Sequence, residues 1–386
     1  MIEKQETTYS MEQQAKLWAV GGGKGGVGKS FLTTNIGVLL AKEGKRVVLM
    51  DLDLGGANLH TCLGVTDLDR GVSDFLMRRY EELEEALVPT QVPNLFLLSG
   101  AQDSLNIANP KYAQKIRLLR ELKKIEADYI LMDLGAGTSF NTLDFFIAAD
   151  TQLLVAIPEP TSIENAYRFI KSSFYRQIRL YSETPELRDL VEESMDRNNR
   201  HGIRTPRELL LHLKELGPEM SDFAEQQTER YCPSLILNQV RSNNDIKVGH
   251  AMETACLKYF GLSVDFRGYV TNNDLVRRSV LQRKPLMMQS PDSEIGQDLQ
   301  RLLGNILQHA PTAALLVRSV AQSDQPLFLD CLAVVARAAA RVQNVRHRRR
   351  RVQGEESLAQ PGVGPRGRNR LPQRHAARHW RVFGIA

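Results

Sequence analysis

Ten residues near the start of the chain, GGGKGGVGKS at positions 21–30, constrain the fold more than any other stretch. An apolar run, LWAV, precedes them, and a helical pattern follows from position 29 to about 42. A glycine-rich loop between a strand and a helix presents successive backbone N–H groups, and the helix N-terminus adds partial positive charge. Residues 23–30 fit the pattern G-x-x-x-x-G-K-[ST], in which Lys29 contacts phosphates and Ser30 holds Mg²⁺. We predict a phosphate-binding loop, which leaves the second lysine, Lys24, unexplained.

The rest of the chain predicts an α/β fold around this loop. Continuous apolar runs at 46–53, 94–100, 129–137, 151–160, 233–240 and 262–270 are typical of buried parallel strands, and helical patterns separate them. We therefore expect a P-loop NTPase with a mostly parallel, twisted sheet and helices on both faces. Residues from about 164 to 230 contain no strand pattern and are predicted to be a helical insert in the same domain.

The predicted ATPase domain covers residues 16–309 and follows a polar extension at 1–15 that has no apolar signal-peptide core. No apolar run approaches the roughly 20 residues that span a bilayer. A cytoplasmic protein is expected, and four scattered cysteines without metal-ligand spacing favour reduced thiols. The cysteines are Cys62, Cys232, Cys256 and Cys331.

The last part of the chain, residues 310–386, differs sharply in composition. From position 311 it holds 14 arginines, no lysine and four acidic residues, a net charge of +10, so the first 310 residues carry −5. Three interpretations stay open. The segment is a disordered basic tail, a membrane-targeting amphipathic helix, or non-native sequence such as an out-of-frame translation. The helix hypothesis depends on apolar residues at helical spacing, namely Phe328, Leu332, Val335, Ala339 and Val342.

Acidic residues end two of the predicted strands. Asp51 and Asp53 close the second strand, and Asp133 closes the fourth. Because ligands bind at the carboxyl ends of parallel strands in α/β sheets, these carboxylates are expected beside the phosphate loop. The sequence therefore predicts a metal and water site at that edge of the sheet.

Together these motifs resemble those of the MinD/ParA ATPases. KGGVGKS is similar to their deviant Walker A signature, DLDLGGANLH (51–60) to their first switch and DLGAGTS (133–139) to their second. The segment at 268–286 resembles the one that borders the nucleotide base, and Asn238 matches the asparagine that binds adenine. The resemblance covers roughly residues 16–308, and PEPTSIENAYRFIKSSFYR (158–176) with the helical insert bring it nearest to the FlhG-like branch.

The resemblance implies an ATPase that binds ATP and Mg²⁺ and forms ADP and phosphate. The implied metal residues are Ser30, which ligates the ion, Asp133, which assists through water, and Asp51, which supports the site. The implied nucleotide-binding residues are Gly23, Lys24, Gly25, Gly26, Val27, Gly28, Lys29, Ser30, Phe31 and Asn238.

The implied catalytic residues are Lys24, Lys29 and Asp53. Lys29 binds phosphate, and Asp53 positions the attacking water. Lys24 acts in trans, since in this family two protomers enclose two ATP molecules and the signature lysine contacts the partner's nucleotide. Like an arginine finger, it adds positive charge at the departing γ-phosphoryl group. The resemblance therefore implies an ATP-dependent homodimer.

Three functions follow from different classes. The first is a spatial regulator that positions a pole, flagellum or division site, recruits an unidentified partner or activating protein, and has a possible membrane surface as platform. The alternative is a DNA-partitioning ATPase, which needs basic surface; the −5 of the body argues against it, although Arg277, Arg278, Arg283 and Lys284 form a local cluster. The third, a metabolic enzyme or metal carrier, lacks the expected C-x-x-C motif and a cysteine between 136 and 146.

Overall fold

A computed structural model describes residues 14–53, 56–66, 68–100, 112–196 and 199–308. The predictions for residues 1–13 and for the arginine-rich segment at 310–386 lie outside the described residues. Within the described part, eight strands form one sheet in the order β3-β4-β2-β5-β1-β6-β7-β8. The strands are β1 (Lys16–Gly21), β2 (Val47–Leu52), β3 (Val88–Pro89), β4 (Leu95–Leu98), β5 (Tyr129–Leu134), β6 (Thr151–Ala156), β7 (Ser234–Val240) and β8 (Asp265–Thr271).

The sheet confirms the predicted α/β architecture. Neighbouring strands from β4 to β8 pair in parallel, and only the short edge strand β3 is antiparallel, against β4. The sequence did not predict β3, because two residues are too few to show alternation. All seven predicted strands are present, and their ends differ from the predicted bounds by one to a few residues.

Helices cover both faces of the sheet. Alternate residues of the central strands point into two separate cores; for example, Met132 and Leu131 of β5 belong to different ones. The helices are α1 (Lys29–Lys42), α2 (Leu59–Leu63), α3 (Val72–Leu76), α4 (Tyr112–Leu122), α5 (Phe140–Ala148), α6 (Pro160–Tyr181), α7 (Pro185–Glu193), α8 (Pro206–Glu215), α9 (Pro218–Arg230), α10 (Asn243–Ala255), α11 (Asp274–Leu281), α12 (Leu286–Gln289) and α13 (Glu294–Leu307).

The helical insert between β6 and β7 consists of α6 to α9. Each of these helices begins with a proline, which is favoured at the first helical position because its missing N–H has no partner there. The insert begins at Pro160, four residues before the predicted start at 164, because the last residue of the apolar run at 151–160 is the first residue of α6. The helical pattern between the apolar runs at 94–100 and 129–137 corresponds to α4, which ends at Leu122.

A buried ion cluster joins three of the helices. Asp144 on α5 pairs with Lys115 on α4 and, through its Oδ1 at 2.7 Å, with the Nε of Arg176 on α6. The Arg176 guanidinium also lies 4.9 Å from the ring centroid of Phe140, the first residue of α5. This cluster fixes the start of α5, and therefore the end of the loop at 135–139 that leads into it.

Among the described helices, none combines the length and the apolar composition that crossing a bilayer requires.

Candidate nucleotide-binding site

The glycine-rich loop runs from the end of β1 to the start of α1 and has a backbone that only glycine permits. Gly26 has φ 77° and Gly28, the N-cap of α1, has φ 95°, both in the left-handed region. A Cβ on Gly28 would lie 2.1 Å from the Asn238 Nδ2, and one on Gly23 would lie 2.2 Å from the Asn165 carbonyl oxygen. No side chain caps α1, so its first N–H groups are available to an anion.

The two lysines of the loop have different surroundings. Lys29 begins α1 and is only 8% exposed. Lys24 has a side chain that is 39% exposed and extends to α6, where its Nζ lies 3.3 Å from Glu159 Oε2 and 3.4 Å from Thr161 Oγ1. Lys29 is therefore a fixed part of the loop, whereas Lys24 is held by a single exposed ion pair of the kind that contributes little stability.

Val27 and Phe31, which are predicted to bind the nucleotide, have buried side chains. Val27 is 1% exposed and Phe31 is 7% exposed, and both side chains pack into the core beneath α1. Gly25 has open space around it, with only the Ala136 Cβ 4.0 Å from a Cβ built there.

Asp51 is a buried carboxylate whose oxygens accept from the backbone that follows it. The N–H groups of Asn58 and Leu59 donate to Oδ2 at 2.9 and 3.0 Å, and that of Asp53 donates to Oδ1 at 3.2 Å. Burial raises the pKa of Asp51 to about 6, and the three backbone hydrogen bonds oppose this rise. Asp51 thereby shapes the segment from β2 to α2.

Asp133 lies at the end of β5 and is 2% exposed. Among the described residues its Oδ1 has no hydrogen-bond partner. Burial raises the pKa of Asp133 to about 7; the hydrogen bond from Ser30 and the charge of Lys29 lower it, and the charges of Asp51 and Asp53 raise it. An unpartnered, buried carboxylate oxygen beside a phosphate loop is costly in the absence of a ligand.

Asp53 and the second switch segment lie close to the loop. A Cβ built on Gly135 would lie 3.3 Å from Asp53 Oδ1, so glycine leaves space for that carboxylate. The Gly137 N–H donates to the Gly22 carbonyl at 3.0 Å, which attaches the segment at 133–139 directly to the phosphate loop.

Asn238 lies in the second half of β7 and supports the loop from outside. Its Nδ2 donates to the Val27 carbonyl at 2.9 Å, and its Oδ1 accepts from the Gln239 N–H. Each of these groups can make one further hydrogen bond. The predicted adenine contact of Asn238 stays a prediction; the contact with the loop is a role that the sequence did not indicate.

The residues present fit Mg²⁺. The Ser30 hydroxyl lies beside Asp133, and the Asp133 Oδ1 is buried and unpartnered, which is suitable chemistry for a hard cation that prefers oxygen ligands and keeps several waters. Within the described residues, no group of three or more His, Cys, Asp or Glu side chains is placed to hold a metal ion. Ser30 would ligate the ion, and Asp133 would hold a water bound to it.

Sequence reasoning missed Glu159 and Thr161, which contact Lys24 from 135 and 137 positions away. Both occur in the PEPTS segment at 158–162, part of the stretch that resembles the FlhG-like branch. No local pattern pairs a lysine with a carboxylate at such a separation.

The fold and the loop together define a P-loop NTPase. The family model ParA, described as "NUBPL iron-transfer P-loop NTPase", matches residues 13–181. The chain is 37% identical to the antiactivator FleN of Pseudomonas aeruginosa over 154 residues, 40% of this chain and 54% of FleN. It is 24% identical to the flagellum site-determining protein YlxH of Helicobacter pylori over 319 residues, 81% of this chain and 89% of YlxH.

Septum site-determining protein MinD of Synechocystis is 34% identical over 160 residues, 40% of this chain and 58% of that protein. The matched part of the chain thus spans just over half the length of FleN and of this MinD. The solved MinD of Pyrococcus horikoshii with Mg-ADP has a TM-score of 0.53 at 22% identity and covers 76% of this chain and 96% of its own, which shows the shared fold. These matches are to the ParA/MinD family of P-loop NTPases, and the likeness to FleN and YlxH is consistent with the FlhG-like branch.

Proposed function

We propose that this protein is an ATP-binding and ATP-hydrolysing switch that dimerises with its nucleotide and acts as a spatial regulator. The observation that carries the proposal is the difference between the two loop lysines. Lys29 is buried at the start of α1, whereas Lys24 is 39% exposed and points away from its own loop toward α6. A lysine that its own phosphate site does not use is available to a partner's nucleotide.

The proposed chemistry divides the site into two parts. Lys29 and the loop N–H groups bind the phosphates, and Ser30 and Asp133 hold Mg²⁺, which neutralises charge on the phosphate oxygens when bound. Asp53, beside Gly135, orients the attacking water. The Asp133 Oδ1, which has no hydrogen-bond partner in the described part of the chain, is the atom best placed to hold a metal-bound water.

Lys24 has two mutually exclusive positions in this proposal. In the single chain it pairs with Glu159 and Thr161, and it cannot contact a second chain's phosphates without leaving them. Because the pair is exposed, it is weak, and binding of a second ATP-loaded chain offsets its loss. The ion pair is thus compatible with a switch between one chain and two.

Relatives suggest the cellular role. FleN is an antiactivator, YlxH a flagellum site-determining protein and MinD a septum site-determining protein. We propose that this chain likewise positions a structure at a cell pole, flagellum or division site through a partner protein, with a membrane surface as its platform.

The first experiment replaces Lys24 by alanine and compares it with Lys45→Ala, an exposed lysine at the far end of α1. Lys24→Ala is expected to bind ATP, remain monomeric in light scattering, and lose about 10²–10³ in ATP turnover. Lys45→Ala should resemble the wild type. Normal dimerisation and turnover in Lys24→Ala would show that the role in trans is wrong.

A second experiment separates dimerisation from hydrolysis. Asp53→Ala removes the group proposed to orient water while leaving Lys24 and Lys29 in place, so it should hold ATP in a long-lived dimer. Unchanged turnover in this variant would remove Asp53 from the mechanism.

A further inference from the structure

The C-terminal end of α11 exposes an apolar pair. Leu281 is 71% exposed, more than any other large hydrophobic side chain that the structure describes, and Val280 is 42% exposed. The opposite side of the helix is anchored, since Leu275 and Val276 pack against the core and Ser279 is buried. The exposed pair is therefore presented on a fixed element and is not part of a frayed end.

Four cations surround the pair. Arg277 and Arg278 precede it, Arg283 and Lys284 follow it, and all four are exposed. None of them has an ion pair with a carboxylate of the described residues, whereas arginines elsewhere, such as Arg179 and Arg301, do. We name Arg277, Arg278, Val280, Leu281, Arg283 and Lys284 the α11 tip.

Helical spacing places part of the tip on one face. Arg277 lies three and four positions before Val280 and Leu281, on the same face of α11, and Lys284 lies three residues beyond the end of the helix at Leu281. Arg283 has φ 51°, in the left-handed region where glycine is usual after a helix, so the chain keeps an arginine side chain where glycine would be less strained.

We propose that the α11 tip docks on an anionic membrane surface, with Leu281 and Val280 between the headgroups and the four cations on lipid phosphates. An apolar centre bordered by Lys and Arg is typical of segments that lie in the membrane interface. A nucleic-acid backbone would use the cations but offers no apolar environment for Leu281. A protein partner would need carboxylates at fixed positions. No carboxylate of the described residues forms an ion pair with these four side chains, so they are free to follow the mobile anions of a lipid surface.

The proposal goes beyond the ATPase, because docking needs neither Lys24 nor nucleotide. It also differs from the membrane hypothesis for residues 328–342, because it places the contact on the folded domain.

The experiment sediments the full chain with vesicles of phosphatidylglycerol and phosphatidylcholine, and with vesicles of phosphatidylcholine alone. The wild type is expected to bind only the anionic vesicles, and inorganic phosphate at matched ionic strength should not release it. Leu281→Glu, which puts an acid between the cations, should weaken binding by about tenfold or more. The matched control is Leu211→Glu, an exposed leucine (52%) on α8, which should bind as the wild type. Thermal melting of both variants checks that they fold.

A second variant, Arg277→Gln with Arg278→Gln, should bind more weakly and with less dependence on salt, because fewer phosphates are contacted. Three results would overturn the proposal. In the first, the wild type does not bind anionic vesicles. In the second, Leu281→Glu and Leu211→Glu bind equally well. In the third, duplex DNA displaces the protein from the vesicles, and the same variants weaken DNA binding. The second result would move the contact to another part of the chain, and the third would make the tip a nucleic-acid surface.

Discussion

The ends of β2 and β5 carry an aspartate at paired positions of the sheet, but they use it in opposite ways. Asp51 and Asp133 are register partners, and both are almost fully buried. Asp51 accepts three backbone hydrogen bonds from the segment that follows it, while one oxygen of Asp133 has no partner among the described residues. The first carboxylate is satisfied by the fold, and the second is left for a ligand.

The difference comes from the sequence after each strand. After Asp51 the chain turns back, so that the start of α2 donates two N–H groups to the carboxylate. After Asp133 the chain moves toward the phosphate loop, and the Gly137 N–H donates to the Gly22 carbonyl instead. A motif can therefore place two identical residues at one edge, and the backbone after them decides which one remains free to act.

The largest expected effect is on turnover. Asp133→Ala removes the unsatisfied oxygen and should lower the rate of ATP hydrolysis by about 10²–10³ without preventing folding. Phosphate release measured at saturating ATP and Mg²⁺ tests this. Near-normal turnover would mean that Asp133 does not hold a ligand needed for hydrolysis. The difference in hydrogen bonding between Asp51 and Asp133 would then have no role in catalysis.

The next effect is the pH dependence of the nucleotide-free protein, unfolded by urea in EDTA. Burial raises the pKa of Asp133 from 3.8 to about 7, so the folded state binds a proton more tightly than the unfolded state. The contribution of Asp133 to the free energy of unfolding is fully present below about pH 4 and is lost as the pH rises through about 7. The free energy of unfolding of Asp133→Asn should therefore exceed that of the wild type by about 4 kcal/mol at pH 8, and the two should differ little at pH 4. A difference that does not depend on pH would contradict the assigned cause.

Replacement of Asp51 should lower the free energy of unfolding, whereas Asp133→Asn should raise it. Asp51→Ala leaves three N–H groups without their acceptor, and the cost, reduced by the removal of a buried charge, is about 2 kcal/mol in the free energy of unfolding at pH 7. Asp51→Asn, which keeps one acceptor oxygen, should lose less. Chemical denaturation measures both; a stabilised Asp51→Ala would show that its hydrogen bonds do not offset its burial.

The smallest expected effect is on stability, at the turn after α2 where the segment held by Asp51 ends. A Cβ on Gly64, which follows α2, would lie 2.6 Å from the carbonyl oxygen of Arg283, so the backbone of the α11 tip rests directly on this turn. Arg283→Gly should relieve the left-handed conformation and raise the free energy of unfolding by about 0.5–1 kcal/mol. A loss of stability would show that the arginine side chain makes contacts that the structure does not show.

The sequence predicts much of this structure because its signals are local. The glycine loop, the helix from Lys29 and the seven longer strands follow from apolar periodicity and motif spacing over a few residues. Contacts between distant parts were not predictable in this way. The Lys24–Glu159 pair, the saturation of Asp51 and the support of the loop by Asn238 depend on how strands far apart in the chain meet at one edge.

The contact between Gly64 and Arg283 has a practical consequence for observing the protein. It joins the segment held by Asp51 to an exposed helix end, so a fluorophore on Gln282 would report on the nucleotide edge from the surface. Burial raises the pKa of Cys62 to about 11 and that of Cys232 to about 12, and it also raises the pKa of the buried Cys256, which makes all three slow to react with thiol reagents at neutral pH. In a Cys331→Ser background, Gln282→Cys would then be the fast-reacting thiol, and its emission would follow the nucleotide cycle in real time.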